Sequence, residues 1–473
     1  MLHLRPKGGW FGDPIPFYWD GVYHLFYLVD HEHHAQPGGR HTWGHFASRD
    51  LVHWDELPLA IDLGPEGAVD AASCGTGAII ERDGTFHLYY LGRYFTTNGE
   101  RRETMCHATS ADLISWQKDP ANPISRPDPA VYNLTDWRDG FPYWSEAHGE
   151  YRMLVTATLR DAPATRSGCL AALGSSDLWK WQARGTYWAP HLGFDHECPD
   201  LFRWGDWWYL VYSTVTDPAT QGTLYRRARS PEGPWSAVPF ESFDGPLLYA
   251  AKTQFDGRRR FLFGWVPTRE GDRDEGKTQW GGESAVREIV QGADGYLWAK
   301  LPPEVLSLAG EPLPLNATPR LGDWDVAGGS LRVAPGEGFA CALLPDVPQD
   351  CIIRFSFRAA VPTSRFGVLL RTDADLSGGY RLSLEPSRRR MMLLPFGARR
   401  RSAVEPLTRP WPNPTAETTV TIVVSGSIFE AFVDDRIALV GRFYDHQGAS
   451  LALFVEDGGG EFCGVEVRPI GER

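Results

Sequence analysis

A chain of 473 residues has the length of two or three domains and buries sizeable cores, which rules out a disulfide-stapled mini-protein. It carries 60 Asp+Glu against 47 Lys+Arg, a formal charge of −13, with no basic tract longer than three residues, which argues against a nucleic-acid phosphate partner. Seven cysteines lie scattered at positions 74, 106, 169, 198, 341, 351 and 463, an odd number without close pairs, which reads as free thiols in a reducing compartment. The start, Met1-Leu2-His3-Leu4-Arg5-Pro6, has neither an apolar core nor a cleavage site, and no run of about 18 apolar residues follows. The expectation is a soluble, cytoplasmic protein without a membrane partner.

Aromatic residues are abundant, with 19 Trp, 17 Tyr and 24 Phe among 50 Gly and 36 Pro. Short runs of Val, Ile, Tyr, Phe and Trp between Gly, Asp and Pro predict an all-β chain. A turn pair followed by an aromatic strand recurs. Asp20-Gly21 precedes Val22–Tyr27, Asp83-Gly84 precedes Thr85–Tyr90, and His148-Gly149 precedes Glu150–Val155. Gly205-Asp206 and Asp256-Gly257 open two more copies, about 50 to 65 residues apart, the spacing of four-stranded propeller blades. A second echo, Ser48-Arg49-Asp50-Leu51, returns as Ser110-Ala111-Asp112-Leu113 and more loosely as Ser176-Asp177-Leu178. The predicted architecture is a five-bladed β-propeller over 1–305, a Pro/Gly-rich linker over 306–322 and a β-sandwich over 323–473. Six alternating strands between Cys351 and Val455 carry the sandwich reading.

The innermost strand of each blade lines the central channel, so polar residues just before each hairpin converge on an axial pocket. Blade one offers Asp13, blade three Arg138-Asp139 and blade four Glu197, within His196-Glu197-Cys198-Pro199-Asp200. Blade two offers Ser73-Cys74-Gly75-Thr76, and blade five Lys252-Thr253-Gln254. Two carboxyl groups flanking a glycosidic bond are the minimum for glycoside hydrolysis, and a third stabilises the ring. Glu197, with its longer arm beside Cys198 and Pro199, suits a proton-donating carboxyl raised by burial and like charge. Asp13, shorter and stiffer, suits a nucleophile.

The pentad of repeats, Trp10-x-x-Asp13-Pro14, Arg138-Asp139, Glu197-Cys198-Pro199-Asp200, Trp43-Gly44-His45 and Leu248-Tyr249-Ala250 resemble glycoside hydrolase family 32, the β-fructosidases, over nearly the whole chain. The resemblance implies Asp13 as nucleophile, Glu197 as general acid/base and Asp139 as transition-state stabiliser in retaining hydrolysis. The sugar-reading shell departs from the family pattern. Trp-Met-Asn-Asp-Pro-Asn-Gly is here Trp10-Phe11-Gly12-Asp13-Pro14-Ile15-Pro16, both asparagines being replaced, and Leu28 stands where a Gln is usual. The implied activity is cleavage of a terminal β-fructofuranoside from a small di- or oligosaccharide. A related furanosidase, a fructosyltransferase or difructose-anhydride-type enzyme, and a non-catalytic sugar-binding propeller are its rivals.

Substrate contacts are expected from Arg138, Trp10, Trp43, Cys74, Thr76, His31 and Trp280. The histidines at 31, 33, 34, 41 and 45 resemble a metal cluster, but adjacent loop histidines lack tetrahedral geometry, so no metal is expected. The loop carrying them is placed at the pocket rim. Glu283 is expected to pair with Arg287. No organic cofactor is indicated, and a homo-oligomer is left open.

Overall fold

The computed structural model describes residues 2–31, 39–215, 221–314, 316–327, 330–397 and 404–471. His33 and His34 of the predicted rim loop lie outside them. Strands dominate, and the helical pieces are 3-10 turns of three to six residues. None is long and apolar enough to cross a membrane.

The first three hundred residues form a five-bladed propeller. Its inner strands are Trp10–Trp19, Ser73–Arg82, Tyr132–Ser145, Glu197–Trp204 and Tyr249–Phe255, and each contacts the next around a closed ring. Antiparallel hairpins carry each blade outward. At the first two, Asp20 and Gly21, and Asp83 and Gly84, all take positive φ, as a two-residue turn matched to strand twist requires. Blade four has three full strands, with single bridges to Ser236 and Ser242 in place of a fourth. The ring closes where Phe11 pairs with Gly282, and where Leu4 exchanges hydrogen bonds with Ser284.

The aromatic richness follows from burial on both faces of the blades. In Val22–Asp30, Leu25, Tyr27 and Val29 enter the core shared with blade five, while Phe26 and Leu28 enter the core shared with blade two. Separate cores likewise seal blades two and three, and three and four. The second echo is a capping turn. Ser48 Oγ accepts from the backbone N–H groups of Asp50 and Leu51, and Asp50 Oδ1 accepts from those of Val52 and His53. Ser110 and Asp112 repeat it. In the third copy Ser175, not Ser176, plays the serine's part, so the repeat is tighter than the sequence suggests. Leu51, Leu113 and Leu178 all carry positive φ at the same point of this turn.

The β-sandwich is one hydrogen-bonded network folded into two layers. Its last strand, Ser450–Pro469, pairs with Arg365–Thr372 through its first half and with Cys351–Ala359 through its second. The strand Ser330–Leu344 follows both halves. The corner falls at Gly458, Gly459 and Gly460, where any Cβ would meet Thr363, Pro335 or the Arg358 carbonyl within 2.7 Å. The connecting arm runs along the sandwich edge: Gly310 N–H donates to the Pro469 carbonyl and Leu313 N–H to that of Val467.

One core runs without a break from blades four and five into the sandwich. It encloses ionic contacts. Arg287, fully buried, donates to Asp244 at 2.9 Å and to Glu430 of the sandwich, and Asp244 also accepts from the Val440 N–H. Glu283 pairs with Arg442 of the sandwich and not, as expected, with Arg287. Residues four apart on a strand share a face but stand roughly 13 Å apart along it, beyond pairing reach.

Candidate active site

All five inner strands break register at the same level. The shifts lie between Gly12 and Ile15, Gly75 and Gly77, Arg138 and Phe141, Glu197 and Asp200, and Tyr249 and Lys252. Asp13, Asp139, Cys198 and Ala250 adopt positive φ there. A bulge in an inner strand kinks the chain and re-aims a side chain that regular alternation would bury between blades. Asp tolerates this backbone, and proline cannot donate to the ladder, which is why Asp13-Pro14, Asp139-Gly140 and Cys198-Pro199 stand at these points.

The bulges surround a cavity of about 540 Å³ lined by Asp13, Asp139, Glu197, Arg138, Thr76 and Trp280, with His41, Arg93, Leu28 and the hairpin residues Glu270 and Lys277–Gln279. Both oxygens of Asp13 are held: the Thr76 hydroxyl donates to Oδ2 at 2.7 Å and the Trp265 indole N–H to Oδ1 at 3.1 Å. Asp139 Oδ2 accepts from the Thr156 hydroxyl at 3.1 Å and the Cys198 N–H at 3.0 Å, tying blade three to the bulge of blade four. Glu197 accepts from Arg138 at 2.9 Å and from the Tyr249 hydroxyl. Arg138 also binds Asp136 at 2.7 Å and lies 3.7 Å from Glu103, which Arg93 and Arg101 share.

Burial pushes Asp13 up to about 7, with Asp139 and Glu197 adding to the rise and the Thr76 hydrogen bond and Lys252 opposing it. Burial also raises Asp139, against the attraction of Arg138. The sequence reading placed a rise on Glu197; in the structure a rise falls on the two aspartates. The Cys198 thiol is held well above its usual range by burial, which makes it no nucleophile at neutral pH.

The remaining expected contacts divide. Trp280 is a wall: its ring stacks on His41 with centroids 4.0 Å apart. Burial pushes His41 down to about 3, so this wall is neutral. A Cβ at Gly12 would lie 2.4 Å from the Trp280 ring, so the indole occupies the space an asparagine at position 12 needs. Trp43, Cys74, Trp10 and His31 do not line the cavity. Trp43 is fully buried between blades one and two, its N–H supporting the Gly75 carbonyl. Cys74 points the other way by strand alternation, its thiol towards the Asp62 carbonyl at 3.5 Å. Trp10 lies beneath the Arg5 guanidinium, 3.5 Å from the ring centroid, and His31 bonds the Thr42 hydroxyl at 3.0 Å. His45 is buried, stacked on Phe26 and bonded to His24 at 2.9 Å. No group of three or more ligand-type side chains among the described residues could hold a metal ion. Arg93 and the 270–279 hairpin were missed, and Trp265, Tyr249 and His41 were named without the contacts they make here, because these groups reach the pocket from strands remote in sequence.

Residues 3–299 match the family described as glycosyl hydrolases family 32 N-terminal domain. The chain belongs to glycoside hydrolase family 32. It is similar to the sucrose-6-phosphate hydrolase of Zymomonas mobilis, 30% identical over 59% of this chain and 57% of that protein. A sucrose-6-phosphate hydrolase of Escherichia coli is 28% identical over 63% of each. The match thus spans less than two thirds of these relatives. In fold, the family 32 chain is similar to the exo-inulinase of Aspergillus awamori, with a TM-score of 0.77 at 20% identity over 100% of this chain and 98% of that one. The sucrose-6-phosphate hydrolase of Lactobacillus gasseri gives a TM-score of 0.76 at 22% identity, over 99% of this chain and 92% of that one.

Proposed function

We propose that this family 32 protein is a retaining glycoside hydrolase that removes a terminal β-fructofuranosyl group from a small di- or oligosaccharide. The observation that carries the reading is the convergence of Asp13, Asp139 and Glu197, from three blades, on one cavity at equivalent bulges. The names of the relatives, sucrose-6-phosphate hydrolases and β-fructofuranosidases, support the sugar.

Asp13 attacks the anomeric carbon, its two oxygens aimed by Thr76 and Trp265. Glu197 gives its proton to the departing glycosidic oxygen as that bond breaks, leaving a fructosyl ester on Asp13. Glu197 then takes a proton from water, whose oxygen attacks the same carbon and frees Asp13. Arg138 and the Tyr249 hydroxyl hold the Glu197 carboxyl in place through both steps. Asp139 keeps Oδ2 on Thr156 and the Cys198 N–H, and accepts sugar hydroxyls on Oδ1. The neutral Trp280–His41 wall replaces amide donors with an aromatic face suited to the C–H surface of a sugar ring. All seven cysteines are free, which supports a cytoplasmic site of action on an imported saccharide.

Two displacements at one carbon restore its configuration. Turnover of sucrose in the presence of methanol should therefore yield methyl β-fructofuranoside, detected by proton NMR before any equilibration. The α-anomer would contradict an ester on Asp13.

A further inference from the structure

Two cavities are lined by successive residues of the inner strands. The catalytic cavity ends at Thr76 on blade two and Cys198 on blade four. A second cavity of about 370 Å³ begins at Ala78, Phe141 and Asp200 and extends towards the hairpin end. Lys252 of blade five lines the second cavity and not the first. Its side chain, 2% exposed, crosses the axis and donates from Nζ to the Gly77 carbonyl at 2.5 Å, and residue 77 lies between the walls of the two cavities. The Gly77 carbonyl is its single hydrogen-bond partner among the described residues.

An ammonium group buried on one carbonyl is costly unless nearby acids compensate it. Thr76, next to Gly77, donates its hydroxyl to Asp13. One bulge thus holds the ammonium by a carbonyl and Asp13 by a hydroxyl. The charged groups around it are Asp13 on blade one, Arg138 and Asp139 on blade three, Glu197 and Asp200 on blade four, and Arg260 on blade five. Blade two places Arg93 on the wall of the catalytic cavity and Glu81 on that of the second. Arg138 is engaged with Asp136 and Glu197, and Asp200 accepts from Thr253, whose hydroxyl in turn accepts from Arg260. Lys252 is the cation that opposes Asp139 and Glu197 at Asp13.

We propose that Lys252 is a positioning residue: its charge keeps Asp13 available as the attacking anion. This rests on Asp13 being the nucleophile. It gives the lysine that blade five offers at the axis a role in setting the working pH.

The test uses Lys252→Gln and Lys252→Met, with folding checked by circular dichroism. Asp13 is titrated by carbon-13 NMR in protein labelled at the aspartate carboxyl carbon, its resonance identified by its loss in Asp13→Asn. Both variants should move the Asp13 midpoint upward, and move the acid limb of kcat/KM with it. A folded variant whose Asp13 midpoint stays in place would overturn the proposal. A midpoint that moves while the acid limb does not would leave the charge effect standing and refute the nucleophile assignment. If neither variant folds, the coupling is read in reverse from the carbon-13 shift of Lys252 Cε. Lys252 should lose its proton at lower pH in Asp13→Asn than in the parent, and equal midpoints would refute the coupling.

Discussion

Replacing Asp13 by asparagine should abolish turnover, on the order of a 10⁴-fold loss in kcat, while raising the melting temperature at pH 8. The first effect is loss of the attacking oxygen, with Thr76 and Trp265 left in place to hold the amide. The second follows from burial. Asp13 sits near 7 in the folded protein against 3.8 for the free group, so between those values the folded state holds a proton that the unfolded chain has released. Stability therefore falls as pH rises from about 4 to about 7, and stays reduced above it. The asparagine variant lacks this loss, so its advantage over the parent should be present at pH 8 and vanish below about pH 4. The same ionisation sets the parent's activity: kcat/KM should fall about tenfold per pH unit below 7. Thermal melts at pH 4, 6 and 8 beside a pH–rate profile check both; an asparagine variant that melts lower at pH 8 would refute the buried-acid account. Glu197→Gln should cost about 10²- to 10⁴-fold, and less on substrates whose leaving group needs no proton.

The second large effect lies far from the pocket. Arg287 is fully buried between Asp244 of the propeller and Glu430 of the sandwich. Arg287→Met keeps most of the volume but strands two carboxylates in the joint between the domains, at a cost of roughly 3–5 kcal/mol. Urea unfolding should show a markedly lower midpoint. Because the core is continuous across that joint, propeller and sandwich should unfold together in the parent. A variant as stable as the parent would mean the ion cluster contributes nothing to holding the domains.

The blades and three acids were legible because their signals are local. Asp20-Gly21 and Asp83-Gly84 specify turns by themselves, and each acid stands beside a residue, Pro14, Gly140 or Cys198-Pro199, that suits an interrupted ladder. The partners of those acids were not legible. Trp265 lies 252 positions from the Asp13 it supports, and Tyr249 is 52 from Glu197. Closure of the ring joins them, and no local pattern records it. Trp43 and Cys74 show the converse failure. Both are near the axis in sequence terms, but the two-residue strand period turns them between blades, and only the bulge after Gly75 brings Thr76 into the cavity. Gly12 read as a lost sugar contact. The structure adds that the loss admits Trp280, a relation between positions 268 residues apart.

The central claim is that the pocket cleaves fructofuranosides with Asp13 and Glu197. It is tested most directly by measuring sugar release from sucrose, sucrose 6-phosphate, kestose and aryl arabinofuranosides by the parent, Asp13→Asn and Glu197→Gln proteins. Fructose or its phosphate-bearing partner sugar should appear from at least one fructoside with the parent, and each substitution should suppress it. Release only from the arabinofuranosides, or a parent silent across all four, would contradict the account.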